Sequence, residues 1–318
     1  MVRRIKKTPF EDLSLIDNCT FGPQNKPVAT VKPGETVEAE TWDCFANLVK
    51  PNQTLKDILE SGPRPYDNPV TGPIYVKGAE PGDTLVIEII EISIPNMGVT
   101  TVVPGFGALE GLLNASPPLT KFSKIKNGKV VYQLNDEREI NVPTKPFIGT
   151  IGVSPPSEAI STTAPGKHGG NMDTPEVCPG NRLYLPVSVK GALLGLGDVH
   201  AVQGDGEICG TAIEIPSIVT MKIGLIKDRR IDWPRIESSD EIMTVCSAKP
   251  LEYAMRLAFL ELMKWLENDY AFECYDAYMF LSLAAKVQLT QIVNPLFTIV
   301  AKLSKALLPN KHRKSGSD

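Results

Sequence analysis

Histidine and cysteine are scarce in this chain: three and six, respectively, in 318 residues. Cys19, Cys44, Cys178, Cys209, Cys246 and Cys274 are scattered with no Cys-x-x-Cys spacing, which argues against a thiolate zinc site or a disulfide scaffold and makes a reducing cytoplasm the expectation. No apolar run reaches the roughly 18–20 residues that span a bilayer. The basic start, Arg3 to Lys7, has no apolar segment behind it and does not read as a secretory signal. A large excess of one charge is also missing. The formal charge of −4 gives no electrostatic reason to expect nucleic acid or membrane as a partner. There is no phosphate-binding loop either, because Gly195-Leu-Gly-Asp-Val lacks both a third glycine and a Lys-Ser/Thr pair.

Proline and glycine are plentiful, at 27 and 25 residues. Pro33-Gly34-Glu35, Pro81-Gly82-Asp83 and Pro179-Gly180-Asn181 each precede a β-rich run: Thr36–Thr41, Thr84–Ile94 and Leu183–Val189. Proline pre-sets the first central residue of a turn and glycine takes the positive φ of the second, so each reads as a type II turn opening a strand. Leu85, Ile87 and Ile89 fall on one face of the second run, which predicts a strand with that face buried. Near Asp240 the pattern changes. Leu251, Met255, Ala258, Leu262 and Trp265 recur at helical spacing behind Pro250, and a second helix is expected over Tyr275–Leu289, striped by Ala277, Leu281, Ala284 and Val287. Asn294-Pro295 would stop it, with a closing strand over Leu296–Leu303. The reading is a mainly β protein with a sandwich- or barrel-like body and a smaller mixed α/β C-terminal portion. Its segments are an extension over 1–20, a β-rich catalytic body over 21–238, the α/β portion over 239–308 packed on that body, and a polar tail over 309–318. The apolar stretches Ala192–Leu196 and Ile208–Ile215, with the two helices, can serve a subunit interface as well as a core, and a homo-oligomer (dimer or tetramer) is expected.

Three glycine-rich strings concentrate the chemistry: His168-Gly-Gly-Asn-Met-Asp173, Gly197-Asp-Val-His200 and Gln203-Gly-Asp-Gly-Glu207. On a strand, Asp198 and His200 project to one side while Val199 faces the core. Such a pair can supply two ligands to a metal or a carboxylate-oriented imidazole for proton transfer, although an isolated Asp-x-His is more often a surface pair. Gln203–Glu207 reads as a hairpin turn with Asp205 solvated, and a return strand over Ile208–Ile215 would bring Glu207 or Glu214 beside the Asp198/His200 strand. Neighbouring carboxylates push one pKa upward, which suits a general acid or base. Gly169 and Gly170 offer backbone N–H groups and Asn171 an amide, together a cradle for a carbonyl oxygen as it gains charge. Asp173 is a further candidate metal ligand. Cys209, in Glu-Ile-Cys-Gly-Thr, is the alternative nucleophile.

These strings resemble the acetamidase/formamidase family. The likeness includes the segments Asn68–Asp83, His168–Asp173, Leu183–Val187, Gly197–Ala201, Gln203–Glu207, Cys209–Glu214, Asp276-Ala-Tyr-Met and Val293–Leu296, and extends over roughly residues 20–305. It implies a β-rich fold and hydrolysis of short aliphatic amides, such as acetamide and formamide, to a carboxylate and ammonia. Within that resemblance, residue type and spacing place a divalent ion, zinc first with manganese, iron or calcium admitted, on Asp198 and His200 with help from Asp173. Glu207 would shuttle the proton, with Glu214 as the alternative acid/base. Asn171, the backbone of Gly169 and Gly170, and His168 would stabilise the oxyanion. The competing readings are a covalent amidase acting through Cys209, a hydrolase of urea-like or guanidine-like C–N bonds, and a non-catalytic binding or metal-storage protein of the same fold.

Overall fold

The three Pro-Gly turns set the direction of the chain. In a computed structural model, which describes residues 2–62, 67–113 and 117–310, Gly34, Gly82 and Gly180 take φ of +90°, +98° and +90°. The amides of Glu35, Asp83 and Asn181 close the turns on the carbonyls of Lys32, Glu80 and Cys178 at 3.1, 3.1 and 3.2 Å. The strands that follow are Glu35–Glu40, Thr84–Ile92 and Arg182–Pro186. All three belong to one nine-stranded sheet, in which Ile218–Ile226 separates the first two. Leu85, Ile87 and Ile89 are buried as the alternation predicts, while Ile90 is 46% exposed.

A second, eleven-stranded sheet has Leu194–His200 near its middle, paired with Phe147–Gly152, with Glu214–Ile215 and with Thr71–Val76. The main core contains Val37, Ile87, Leu185 and Ile223 from the first sheet and Ile74, Ile148, Ile151 and Leu196 from the second. The molecule is therefore mostly β, with helices confined to a minor share of the described residues. Ala192–Leu196 is buried, with Ala192, Leu194 and Leu196 in this core.

The C-terminal strands Glu241–Ala248, Phe297–Ser304 and Lys286–Gln291 continue the nine-stranded sheet. Helix Leu251–Tyr270 lays Ala254, Ala258, Leu262, Trp265 and Leu266 on two of them. Leu251 packs against this core as the spacing predicts, but Ala254 takes the inner position expected of Met255, which is 36% exposed. Arg235 and Glu261 fasten this helix through a buried pair at 2.7–2.9 Å, and stripping one partner from such a pair costs about 3–5 kcal/mol. The second helix covers only Cys274–Ala284 and does not reach Leu289. Val287 sits on the edge strand instead, where Lys-Val-Gln-Leu-Thr-Gln has the two-residue alternation of a strand. Asn294-Pro295 accordingly lies in the connection between two strands and ends no helix. Residues 311–318 of the polar tail lie outside the described residues.

Candidate active site

Asp198 and His200 share a side of Leu194–His200, and Val199 is in the core as the strand reading requires. The strand is not regular there. Asp198 has φ +53°, and the pairing with Phe147–Gly152 runs from Val199–Ile148 to Gly197–Thr150, passing over Gly149. Gly149 makes this possible, because a Cβ on it would lie 2.7 Å from Asp173 Oδ1, 2.8 Å from the Asp198 carbonyl and 2.9 Å from Asp198 Oδ2. Asp173, Glu207 and Asn68 also take left-handed φ of +43°, +49° and +53°. Such backbone costs a non-glycine residue about 1–3 kcal/mol and gathers at functional sites. Together these residues point their side chains into one cavity.

That cavity, about 310 Å³, is lined by Asn68, Asn171, Asp173, Asp198, Glu207, Glu214, Asn294 and Cys44 on its polar side. One ligand atom each of Asp173, His200 and Glu207 lie within 4.8 Å of one another, and so do those of Cys44, Asp198 and Glu214. Neutral side chains fix the carboxylates. Asp198 Oδ2 accepts from Thr150 Oγ1 at 3.1 Å and from Asn68 Nδ2 at 3.4 Å. Asp173 Oδ2 accepts from Asn294 Nδ2 at 2.6 Å. With its amide nitrogen turned to the carboxylates, the orientation that satisfies both its polar atoms, Asn171 donates to Asp198 at 2.9 Å and Asp173 at 3.2 Å.

His200 is oriented from behind. Gln203 Nε2 donates to the carbonyls of Asp173 and Thr290, both at 3.0 Å, which leaves its Oε1 facing His200 Nδ1 at 2.9 Å. Nδ1 therefore carries the proton, and Nε2 is turned toward Asp198 Oδ1 at 3.2 Å and Glu214 Oε2 at 3.1 Å. Only a second proton or a cation reconciles that nitrogen with two carboxylates. Glu214 Oε2 has no hydrogen-bond partner of its own.

Charge is crowded here, and no Lys or Arg stands among the described lining residues. Burial and then Asp198 push Asp173 up to about 6. Burial, aided by Asp198, pushes Glu214 up to about 7, and burial with Asp173 beside it pushes Glu207 well above the usual range. Burial would raise Asp198 too, but the His200 ring and its hydrogen bonds outweigh it and hold this carboxyl low. Burial would lower His200, but Glu214 and Asp198 outweigh it and push the ring well above its ordinary value. Four carboxylates and one imidazole, fully buried, call for compensating positive charge. The donor set fits a divalent ion.

Not every expected residue is here. His168 lies in the wall of a different cavity of about 650 Å³, edge-on to Phe21 with ring centroids 5.2 Å apart. Burial lowers its pKa to about 4, so it is neutral. Gly169 and Gly170 do not line the active cavity. They are strand residues, paired with Gly152 and Ile151, whose bare backbones permit close approach. Cys209 is exposed and lines a neighbouring groove, with its Sγ against the Thr211 carbonyl at 3.3 Å. The return strand over Ile208–Ile215 is reduced to Glu214–Ile215, and Ile208 is 48% exposed. A turn delivers Glu207, held by the Gly210 amide on its carbonyl at 2.7 Å. Asn68, Thr150, Gln203, Asn294, Gly149 and Cys44 are site residues without an assigned role at the sequence level. A signal existed for three of them, since Asn68, Gln203 and Asn294 head or occupy segments that carry the family resemblance.

This arrangement, on this fold, is that of a hydrolase acting on amide C–N bonds. Residues 6–163 and 156–307 match the acetamidase/formamidase family, and the chain belongs to it. It is 27% identical over 276 residues to a formamidase of Methylophilus methylotrophus, a match covering 70% of this chain and 67% of that one. It is 27% identical over 264 residues to an acetamidase of Mycolicibacterium smegmatis, covering 64% of each. The chain thus spans about two thirds of the length of these relatives. Among solved structures, the acetamidase from Yersinia enterocolitica superimposes with a TM-score of 0.88 at 39% identity, covering 98% of this chain and 94% of its own.

Proposed function

We propose that this chain hydrolyses short aliphatic amides, formamide and acetamide among them, to a carboxylate and ammonia through an activated water. The observation that carries this reading is the His200 environment: an imidazole with Nδ1 fixed by Gln203 and Nε2 aimed at two buried carboxylates. Asp173, Asp198 and His200 would hold a divalent ion, zinc first among zinc, manganese, iron and calcium, because carboxylate-rich sets discriminate weakly. Such an ion, when bound, polarises a carbonyl and lowers the pKa of water toward about 7.

The chain's own groups do the rest. Glu207 takes the proton from water and returns it to the departing ammonia, and Glu214, also in the cavity, is the alternative for that role. Asn171 and Asn68 are neutral amides at the cavity surface whose N–H groups, held here by Asp198, Asp173 and Thr150, would meet a carbonyl oxygen as it gains charge by exchanging one of those partners. Thr150 and Asn294 keep the carboxylates in place. A covalent route through Cys209 is disfavoured by its place outside the cavity.

The test is a steady-state panel of formamide, acetamide and propionamide with metal content measured on each protein. Glu207→Gln is expected to retain the ion and lose at least about 100-fold in kcat, the scale of a positioned acid/base. Cys209→Ala is expected to retain activity. An ion-free protein with full activity in chelator would remove the metal from the reading, and loss of the ion in Glu207→Gln would make that residue a ligand.

A further inference from the structure

The cavity has two unlike halves. One is the buried carboxylate–amide set, and the other is an apolar side made of Phe45, Val103, Phe106 and Pro295, with Asp67, Thr163 and Thr211 completing the lining. Phe45 is fully buried in a small cluster with Val49, Ile58 and Val99, so it belongs to the frame. Phe106 is different. It stands between Gly105 and Gly107, whose φ values of +79° and +120° turn the chain sharply on either side, and it is 36% exposed. One edge of its ring lies against the bare backbone of Gly210, where a Cβ would overlap ring carbons Cδ1 and Cε1. Ala108 then ties the segment to the Ile208 carbonyl at 2.8 Å, which docks it on the same turn that carries Glu207.

The location of this ring fixes what it can do. An amide must place its C–N bond over the charged half, because the water and the proton carrier are there. Its acyl chain then runs along the apolar side, and the length available is bounded by the rings that stand there. We propose that Phe106, seated on Gly210, sets the longest acyl chain the cavity accepts. The inference rests on the amide-hydrolase reading above and adds the residue that determines its specificity. The chemistry is steric: a methylene that fits is worth a factor of about 10 to 200 in kcat/KM, and one that meets the ring is refused by a similar factor. Because Phe106 contributes to the apolar side and none of its atoms bears charge, its removal shifts the ranking of amides without altering the pH dependence that Glu207 imposes.

The experiment measures kcat and KM for formamide, acetamide, propionamide, butyramide and valeramide on wild type, Phe106→Leu and Phe106→Ala. The expected result is a rise of about tenfold or more in the butyramide-to-acetamide ratio of kcat/KM for Phe106→Ala, with Phe106→Leu between it and wild type, and an unshifted pH profile. An unchanged ratio in both variants, with wild type active on acetamide, overturns the proposal while leaving the amide-hydrolase reading intact. A wild type silent on every amide overturns that reading and this one with it. Should Phe106→Ala lose its fold, the ratio in Phe106→Leu decides alone.

Discussion

Replacing Gly149 by alanine tests the site at its tightest point. The added Cβ would meet Asp173 Oδ1 at 2.7 Å, the Asp198 carbonyl at 2.8 Å and Asp198 Oδ2 at 2.9 Å. Ordinary contact begins near 3.5 Å. Each neighbour would therefore have to yield by roughly half an ångström or more, and one of the three is backbone that no side-chain rotation can remove. Overpacking of this kind costs about 1–3 kcal/mol, a drop of about 2–4 °C in Tm per kcal/mol in a chain of a few hundred residues. The fold should survive that. Function should not, because displacing a reacting group by about 1 Å costs on the order of 100-fold in rate. The expected outcome is a folded Gly149→Ala protein, slightly lowered in Tm, with kcat on acetamide down at least about 100-fold and bound metal reduced. A variant with wild-type kcat and full metal content would refute the claim that the spacing of Asp173 and Asp198 matters to the chemistry.

Two further outcomes follow from the electrostatics. In chelator-treated protein, burial raises Asp173 to about 6 and Glu214 to about 7. Carboxyls raised in the folded state stabilise it fully below their ordinary range, near pH 4, and lose that contribution as pH rises through 6 and 7. By linkage each supplies up to about 3 kcal/mol. Metal binding works in the opposite sense, since ligands must be deprotonated. The Tm gap between ion-loaded and chelated protein should therefore widen from pH 5 to pH 8, and a flat or shrinking gap would contradict the site's charge balance. His168→Phe should keep kcat/KM for acetamide, whereas His200→Ala should abolish it. Because burial holds His168 neutral down to about 4, its contribution is present above pH 6.5 and is lost as pH falls through 4, so the Phe variant should also withstand acid better. Loss of kcat in a folded His168→Phe protein would return that histidine to the chemistry.

Local chemistry explains which features were legible in the sequence. The Pro-Gly turns could be read because both residues act on their own φ, whatever the rest of the chain does. Asp198 and His200 could be read because the strand period is two, and Glu207 and Asp173 because glycines beside acids advertise a tight approach. The errors share a cause as well. Helical spacing runs on past Ala284 because Val287 falls by chance on the 3.6-residue stripe, and the edge-strand pairing that claims it is not written locally. His168 reads as a site residue because the glycines after it resemble a ligand cradle, whereas they serve the close approach of two strands. Asn68 and Asn294 could not be assigned a role from spacing, since their carboxylate partners lie 130 and 121 residues away. Neutral amides at such distances look like turn residues until the fold closes.

The left-handed backbone at Asn68, Asp173, Asp198 and Glu207 connects the fold to the proposed function. A regular strand would aim successive side chains alternately into core and solvent, and no register of two sheets would bring four carboxylates into one buried spot. Positive φ at the acid itself re-aims the side chain without inserting a loop, and Gly149, Gly206 and Gly210 leave room for the displaced backbone. The cost of about 1–3 kcal/mol per residue is borne only because both sheets hold the surrounding ladder. The same crowding makes the bare set of charges unfavourable, so it tolerates little besides a proton or a cation at its centre. Strain, burial and donor chemistry thus converge on one requirement, positive charge among His200 and the four carboxylates around it, and measuring the stoichiometry of divalent ions on purified protein is the most direct way to see whether it is met.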